Sequence, residues 1–369
     1  MDKTALALIC GGRSAEHEIS LQSAANVYKA IDKTRYQIWM VWIGREGLWN
    51  LIDPEQFADG SRTPADVEKA IIKKDIFIRP DGSGAVLVSG TGEKISEKLD
   101  VIFPVLHGPY GEDGTVQGLF KILNLPFVGP GVTASALCMD KVLSKRVLRD
   151  GGILVADFVS CSVAEKESID YDQITSRLGS PLFVKPANMG SSVGISKVVD
   201  RQSFDTAVTE AFKYDTHILI EENIEGRELE CAVLGNLAPE ASGVGEVVSS
   251  ETHGFYSYQA KYIDADGAKI IIPADLTESE RESVREAALV TYRLLKLEGM
   301  SRVDVFLRKD GSVVVNEVNT IPGFTSISMY PKLWEEAGVS YSELIDRLIE
   351  LAFERSAREA ALSTEPGDN

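Results

Sequence analysis

Residues 302–328, RVDVFLRKDGSVVVNEVNTIPGFTSIS, decide the fold that we predict for this chain. The dipeptide Asp310-Gly311 near the centre favours a two-residue type I′ hairpin turn. Alternating β-branched residues on both sides predict strands at Arg302–Leu307 and Ser312–Val318. Such a turn pairs residues whose numbers sum to 621, and side chains on a strand alternate between its two faces. The predicted register therefore fixes which polar residues share a face.

In this register Asp304 faces Glu317 and Arg302 faces Asn319, with all four side chains on one face. Two opposed carboxylates repel each other, but a divalent cation between them reverses the sign of that interaction. Carboxylate and amide oxygens are hard ligands that suit Mg²⁺ or Mn²⁺ together with phosphate oxygens. The alternative interpretation is a solvated hairpin face that carries a few charges. The abrupt Thr-Ile-Pro-Gly after Asn319 favours the metal site.

Length, charge and cysteine content narrow the class of protein. A chain of 369 residues with 44% hydrophobic residues is expected to form two or three domains. A formal net charge of −18 argues against nucleic acid or an anionic membrane as a partner. The apolar run Ala5–Cys10 is too short for a signal peptide, and no apolar run reaches membrane-spanning length. Four cysteines without CxxC spacing predict reduced, mostly buried thiols of a cytoplasmic protein: Cys10, Cys138, Cys161 and Cys231.

The first third of the chain predicts a parallel α/β domain at residues 1–128. A strand at Ala5–Cys10, a double glycine, a helix at Ser20–Ile31 and a strand at Gln37–Ile43 form the opening of a parallel α/β unit. Residues 53–98 are polar and rich in Gly, Pro, Lys and Asp, which predicts an insertion with two weak strands.

The remaining residues predict two further domains rich in strands, at 129–224 and 225–369. Within the second of these, Ser249–Gly267 lacks clear periodicity and holds three tyrosines and a lysine. A long irregular segment inside a compact domain is commonly a functional lid, so residues 249–267 are predicted to be one.

A phosphate-binding region is predicted around Lys185, which ends a strand just before the loop 190–194, Gly-Ser-Ser-Val-Gly. Glycines let backbone N–H groups approach an anion closely, and the serines add donors. The loop does not open a helix, which excludes a P-loop. A flexible turn without function is the alternative interpretation, and Lys141, a second candidate cation, is by itself more consistent with a surface lysine. The strand His217–Glu221 offers a backbone edge for adenine and Glu228 a partner for ribose, but taken in isolation the segment is better interpreted as a core strand with surface acids.

Taken together, these pieces resemble the ATP-grasp superfamily and, within it, the D-alanine–D-alanine ligase family. The motifs occur in order and span nearly the whole chain, and the segment 53–98 and the C-terminal tail resemble the family least. The matching stretches are GGRSAEHEISLQSA (11–24), HGPYGEDGTVQG (107–118), MDK (139–141), FVKPANMGSSVGISK (183–197), LIEE (219–222), EGRELECAVLG (225–235), AKYID (260–264), RVDVF (302–306) and NEVNTIPGFTSISMYP (316–331).

The resemblance implies a three-domain ATP-grasp fold, in which an N-terminal parallel α/β domain joins two mixed or antiparallel domains that clasp ATP. It also implies a reaction in which ATP phosphorylates one D-alanine and the amine of a second D-alanine displaces phosphate. The product is D-alanyl-D-alanine for peptidoglycan. The family is usually a homodimer, so a second copy of the chain is the expected protein partner.

The resemblance also implies a role for each matched residue. Two Mg²⁺ or Mn²⁺ ions are expected on Asp304, Glu317 and Asn319. The residues expected to bind ATP are Lys141, Lys185, Ser191, Glu221, Glu222, Ile224, Glu228 and Lys261. Arg302 and the backbone N–H of Gly323 are expected to stabilise the tetrahedral oxyanion.

On the substrate side, Glu16 is expected to pair with the ammonium of the first D-alanine, with His107 nearby. Glu16 is otherwise an acid that favours the start of the following helix. A hydrogen-bonded trio of Glu16, Ser191 and Tyr262 is expected to close the lid over the site. Ser328 and Lys261 are expected to bind the carboxylate of the second substrate.

In this family a tyrosine at the position of Tyr262 accompanies peptide formation, so D-alanine is the expected second substrate. Two other classes of function stay open at this point. The chain could be another ATP-grasp ligase, including one that makes a D-alanyl-D-lactate ester, or a nucleotide-binding regulatory protein without catalysis. The intact acidic set with Arg302 and Lys261 favours an enzyme.

Overall fold

The computed structural model describes residues 3–59, 63–82, 84–249 and 268–363, which form three main sheets and one two-stranded ribbon. The predicted lid 249–267 lies almost wholly outside these ranges. No helix in the described part of the chain is long and apolar enough to cross a membrane.

The first sheet has the order β4-β3-β2-β1-β7 and is parallel where β1 meets β2 and β7. β1 lies between β2 and β7, and its almost continuously apolar sequence suits a strand that is buried along nearly its whole length. The helix α1 packs against it, which confirms the predicted parallel α/β opening. The elements are β1 (Thr4–Gly11), α1 (His17–Ala30), β2 (Tyr36–Ile43), β3 (Trp49–Ile52), α2 (Pro54–Asp59), α3 (Pro64–Lys69), β4 (Ile71–Lys73), β5 (Ile76–Pro80), β6 (Ala85–Ser89), β7 (Val101–Val105) and α4 (Thr115–Ile122).

Residues 53–98 contain more structure than the two predicted weak strands. β5 and β6 form the separate ribbon, while β4 extends the edge of the first sheet beyond β3. The boundaries of the three domains stay predictions.

The second sheet has the order β10-β9-β11-β8, and all its pairs are antiparallel. Helix α8 packs on its apolar face, leaving the opposite face available to a neighbouring sheet. Two helices, α5 (Val132–Met139) and α6 (Lys141–Asp150), precede it. The elements of the sheet are β8 (Phe158–Ser162), a 3₁₀ helix (Val163–Ser168), α7 (Tyr171–Leu178), β9 (Leu182–Pro186), β10 (Ser196–Val198), α8 (Arg201–Ala211) and β11 (His217–Glu222).

The third sheet has the order β14-β13-β12-β15-β16 and is antiparallel throughout. Helix α9 begins at a capping box, as the spacing of Thr277 and Glu280 predicts. The side chain of each residue accepts a hydrogen bond from the backbone N–H of the other. The elements are β12 (Arg227–Gly235), β13 (Glu240–Ser249), β14 (Ala268–Ile271), α9 (Glu278–Leu294), β15 (Gly299–Leu307), β16 (Val313–Asn319), α10 (Met329–Glu336) and α11 (Tyr341–Ala360). The three sheets and their flanking helices confirm the predicted ATP-grasp fold class.

The turn between β15 and β16 is not the predicted type I′ turn. The backbone N–H of Arg308 donates to the carbonyl of Ser312 at 2.9 Å, so three residues rather than two form the loop. Of the pair Asp310-Gly311, only Gly311 has a positive φ, at 83°, whereas a type I′ turn requires two. This geometry is that of a three-residue loop ending in a left-handed glycine.

The predicted facing pairs are nevertheless correct, because a bulge compensates for the longer loop. Near the turn, the numbers of paired residues sum to 620. Asn316 is an extra residue on β16, so from Asp304 onward the sum becomes 621. Asp304 therefore faces Glu317, and Arg302 faces Asn319, as predicted.

Candidate active site

A cavity of about 230 Å³ lies between the second and third sheets. Its walls come from β9 and β11 on one side and from β12, β15 and β16 on the other. Seven residues with predicted roles line it, namely Lys185, Glu221, Glu222, Ile224, Glu228, Asp304 and Glu317. The resemblance implied that ATP lies between two antiparallel sheets, and the cavity is in that position.

A buried carboxylate, Glu221, meets two lysines on the wall of the second sheet. Lys185 Nζ contacts Glu221 Oε2, and Lys145 Nζ lies 2.7 Å from Oε1. Burial alone would raise the pKa of Glu221, but the two ammonium groups outweigh it and hold that pKa below its usual value. Burial in turn lowers the pKa of Lys145, and the carboxylate opposes that shift.

Lys141 begins α6 directly after its cap Asp140, whose carboxylate accepts two backbone N–H groups of the first turn. The side chain is buried rather than on the surface, with Nζ donating to the carbonyl of Met189 at 2.6 Å. The same Nζ lies 3.5 Å from Glu317 Oε2. The helix thus brings a cation to the end of β16, beside the predicted metal ligands.

The polar face of the third sheet carries a dense set of charges. Arg302 binds Asp304 through two hydrogen bonds of 2.7 and 2.6 Å, and Asn319 Nδ2 donates to Asp304 at 2.9 Å. Glu230 faces Asp304 from β12 and lies 2.9 Å from Arg302 Nε. Carboxylates on β12, β15 and β16 therefore stand in one row across the sheet.

This face fits a divalent cation with hard oxygen ligands. Among the residues that the structure describes, no three acidic, histidine or cysteine side chains are placed to hold a metal ion by themselves. The coordination shell would thus consist of the carboxylate oxygens of Asp304 and Glu317, the amide oxygen of Asn319 and oxygens of the phosphates. In the structure, the amide nitrogen of Asn319 donates to Asp304.

Glu16 lies where the N-terminal sheet meets the loop of the second sheet. Ser191 donates a hydrogen bond from Oγ to Glu16 Oε1 across 175 residues of sequence. A Cβ at Gly108 or Gly190 would come within 2.9 or 2.7 Å of Glu16 Oε2, so both glycines leave room for this carboxylate. Two members of the predicted trio are therefore in contact, while Tyr262 lies outside the described residues, as does Lys261.

The segment after β16 is attached to the N-terminal domain by two buried or partly buried side chains. His107 Nδ1 donates to the carbonyl of Ile321 at 2.9 Å. Glu112 accepts from the backbone N–H of Ile321 at 2.8 Å and from that of Gly108 at 2.7 Å. Burial raises the pKa of the Glu112 carboxyl. The described contacts of His107 thus hold the chain near Gly323.

Gly323 and Ser328 lie close together in the same segment. A Cβ at Gly323 would come within 2.8 Å of Ser328 Oγ, which accepts from the backbone N–H of Thr325 at 2.9 Å. The Ser23 hydroxyl on α1 accepts from the N–H of Phe324 at 3.1 Å. The backbone that carries Gly323 is therefore fixed from both sides.

Three charged residues of the site were not predicted from the sequence. Lys145 follows Lys141 by four residues, a spacing that places both on one helix face. Glu230 follows Glu228 by two, which places both on one strand face. Glu112 lies within the HGPYGEDG motif itself. These spacings were available as signals, but their partners lie far away in sequence.

Comparison with protein families gives two matches that together cover most of the chain. Residues 5–130 match the model described as "D-ala D-ala ligase N-terminus". Residues 147–350 match the model described as "D-ala D-ala ligase C-terminus".

Similar proteins match over the full length. A D-alanine–D-alanine ligase of Shouchella clausii is 48% identical, covering 99% of this chain and 98% of that protein. D-alanine–D-alanine ligase A of Escherichia coli K12 is 46% identical, covering 99% of this chain and all of that protein.

Two solved structures superpose on nearly the whole chain. The D-alanine–D-alanine ligase of Coxiella burnetii superposes with a TM-score of 0.86 at 40% identity, covering 98% of this chain and 97% of that one. The VanG D-Ala:D-Ser ligase of Enterococcus faecalis superposes with a TM-score of 0.84 at 37% identity, covering 95% of this chain and 100% of that one.

Proposed function

The chain belongs to the D-alanine–D-alanine ligase family, and we propose that it joins two D-alanines to D-alanyl-D-alanine with ATP, for peptidoglycan synthesis. One observation carries this proposal. The acidic face of β15 and β16 opens on the same cavity as Lys185, with Lys141 at its end. Phosphoryl transfer needs charge neutralisation and alignment of oxygens, and this arrangement provides both.

The nucleotide is proposed to lie in the cavity between the second and third sheets. Lys141 and Lys185 bind its α and β phosphates. The backbone at Glu222 and Ile224 contacts adenine, with Glu221 alongside. Glu228, on the opposite wall, binds the ribose hydroxyls. Ser191 adds a hydroxyl donor at the phosphate end, and Lys261 approaches the γ phosphate from the lid.

Asp304, Glu317 and Asn319 are proposed to hold two divalent ions, with Mg²⁺ or Mn²⁺ as the metal. Bound there, such ions would supply positive charge against the charge that develops on the phosphate oxygens. Arg302 contacts both Asp304 and Glu230, so a metal ion on Asp304 would share that carboxylate with the guanidinium.

The reacting groups are proposed to meet between Glu16 and Ser328. Glu16, with His107 nearby, orients the ammonium of the first D-alanine, whose carboxylate oxygen attacks the γ phosphorus as ADP leaves. The amine of the second D-alanine, held through its carboxylate by Ser328 and Lys261, then attacks the acyl carbon. Arg302 and the backbone N–H of Gly323 stabilise the oxyanion, and phosphate leaves.

The four cysteines are free and buried, as expected of a protein in a reducing compartment. This supports the proposal of a cytoplasmic location. A homodimer is proposed from the family resemblance.

The test is an assay with ATP, Mg²⁺ and D-alanine that measures ADP by coupled absorbance and the dipeptide by mass. Parallel reactions add D-serine or D-lactate as the second substrate. We expect D-alanyl-D-alanine to dominate at neutral pH, and Asp304→Asn to lower kcat at least about 100-fold, since a lost metal ligand removes several kcal/mol of charge stabilisation. A mixed product with D-serine as the main species would contradict the substrate assignment, and absence of ADP release would contradict the enzyme.

A further inference from the structure

Lys145 is a charged side chain inside the fold that the proposed mechanism does not use. It lies on α6, is 1% exposed as a side chain, and is not among the residues that line the nucleotide cavity. Its Nζ is 2.7 Å from Glu221 Oε1. Lys145 therefore contacts Glu221 from behind the cavity wall, through a close pairing of opposite charges.

Glu221 separates Lys145 from Lys185. One carboxylate oxygen contacts Lys145 and the other contacts Lys185. Glu221 and Lys185 both line the cavity. The three groups carry one negative and two positive charges. Their net charge is therefore positive by one unit.

Without Lys145, the buried carboxylate would have only Lys185 as a counter-charge among the residues that the structure describes. Leaving a buried carboxylate without a partner is costly, so Lys185 would then be held by Glu221. With Lys145 present, Glu221 keeps a counter-charge even when Lys185 turns towards an anion. The excess positive charge is then exposed on the cavity side, where the phosphates are proposed to bind.

We propose that Lys145 is a positioning residue that balances Glu221 from behind and leaves the Lys185 ammonium available for a nucleotide phosphate. This inference rests on the proposed nucleotide site. Lys145 itself touches neither the nucleotide nor the metal ligands. Its removal should therefore weaken the binding of phosphate groups and leave the binding of the nucleoside almost unchanged.

The experiment measures the Kd of ADP and of adenosine by calorimetry for the full chain and for Lys145→Met. We expect the Kd of ADP to rise about tenfold, which corresponds to about 1.4 kcal/mol, with adenosine within about twofold. A matched control is Lys213→Met, which removes an exposed lysine that pairs with Glu210 on the surface, and should change neither value. An equal loss of ADP and adenosine affinity would indicate a distorted cavity and overturn the inference.

Two further variants keep the test decisive if Lys145→Met is poorly folded. Lys145→Arg keeps the charge and should retain ADP affinity within about threefold, a difference of about 0.7 kcal/mol. In a Glu221→Gln background there is no carboxylate to balance, so adding Lys145→Met should not weaken ADP binding further. A tenfold loss in that background as well would refute the proposed role.

Failure of the inference about Lys145 can be distinguished from failure of the proposed ligase function. A wild-type chain that binds ADP but makes no dipeptide would refute the ligation and leave the lysine inference standing. A Lys145→Met variant that binds ADP as tightly as the wild type would refute only the inference.

Discussion

Replacement of Glu112 by glutamine tests the attachment of the N-terminal domain to the segment that carries Gly323. In the structure, the Glu112 carboxylate accepts from the N–H groups of Gly108 and Ile321, at 2.7 and 2.8 Å, and from the Thr320 hydroxyl at 3.2 Å. Glutamine has an amide nitrogen in place of one oxygen. That nitrogen would face one of the two N–H groups as donor against donor.

The magnitude follows from the loss of one acceptor. A buried N–H left without a partner costs about 1–3 kcal/mol. If the unpaired N–H displaces the segment, and the activation free energy rises by this amount, kcat falls by about 5- to 150-fold. Each 1.36 kcal/mol of activation free energy is a factor of ten in rate. The same change should lower the free energy of unfolding by about 1–3 kcal/mol.

The assay measures kcat, KM and urea unfolding for the wild type and for Glu112→Gln. A matched control is Glu280→Gln, because Glu280 also accepts from a backbone N–H and a hydroxyl, both of Thr277, but is exposed to water. Water can replace those bonds, so little change is expected in the control. A Glu112→Gln variant that loses stability while kcat stays at the wild-type value would refute the positioning role.

Two further predictions concern proton linkage and selectivity. The folded state holds the pKa of Glu221 below its ordinary value of 4.5, so its ionised form adds stability that is present above this value and is lost as the pH falls below it. The difference in urea stability between wild type and Glu221→Gln should therefore shrink as the pH falls below about 4.5; a constant difference would contradict the linkage. Tyr262→Phe should loosen selectivity towards D-lactate at neutral pH, which product masses from mixtures of both nucleophiles would show, and an unchanged ratio would count against that role.

The hairpin at β15 and β16 shows how far the sequence could predict the site. Alternation along both strands placed Asp304 opposite Glu317 correctly. The turn was wrong, because a three-residue loop and the bulge at Asn316 replaced the two-residue turn. A bulge adds one residue to one strand, and whether it forms depends on packing against the neighbouring strand as well as on the local sequence.

The Lys145–Glu221 pair could not be predicted in the same way. The helical spacing placed Lys145 on the face of Lys141, but nothing within α6 identifies the partner. Glu221 lies on β11, in another part of the chain. The same holds for Glu112, whose acceptor role joins residues 209 positions apart.

The sequence by itself determined the kinds of chemical group at the site and the local periodicity that turns them to one face, and its motifs pointed to the family. The tertiary structure alone decided which of those groups are engaged with each other, such as Arg302 with Asp304 and Lys185 with Glu221. The physical reason is the distance in sequence over which each kind of interaction acts. Periodicity and capping act over a few residues, whereas the ion pairs of this site form only when two sheets and a helix have packed together.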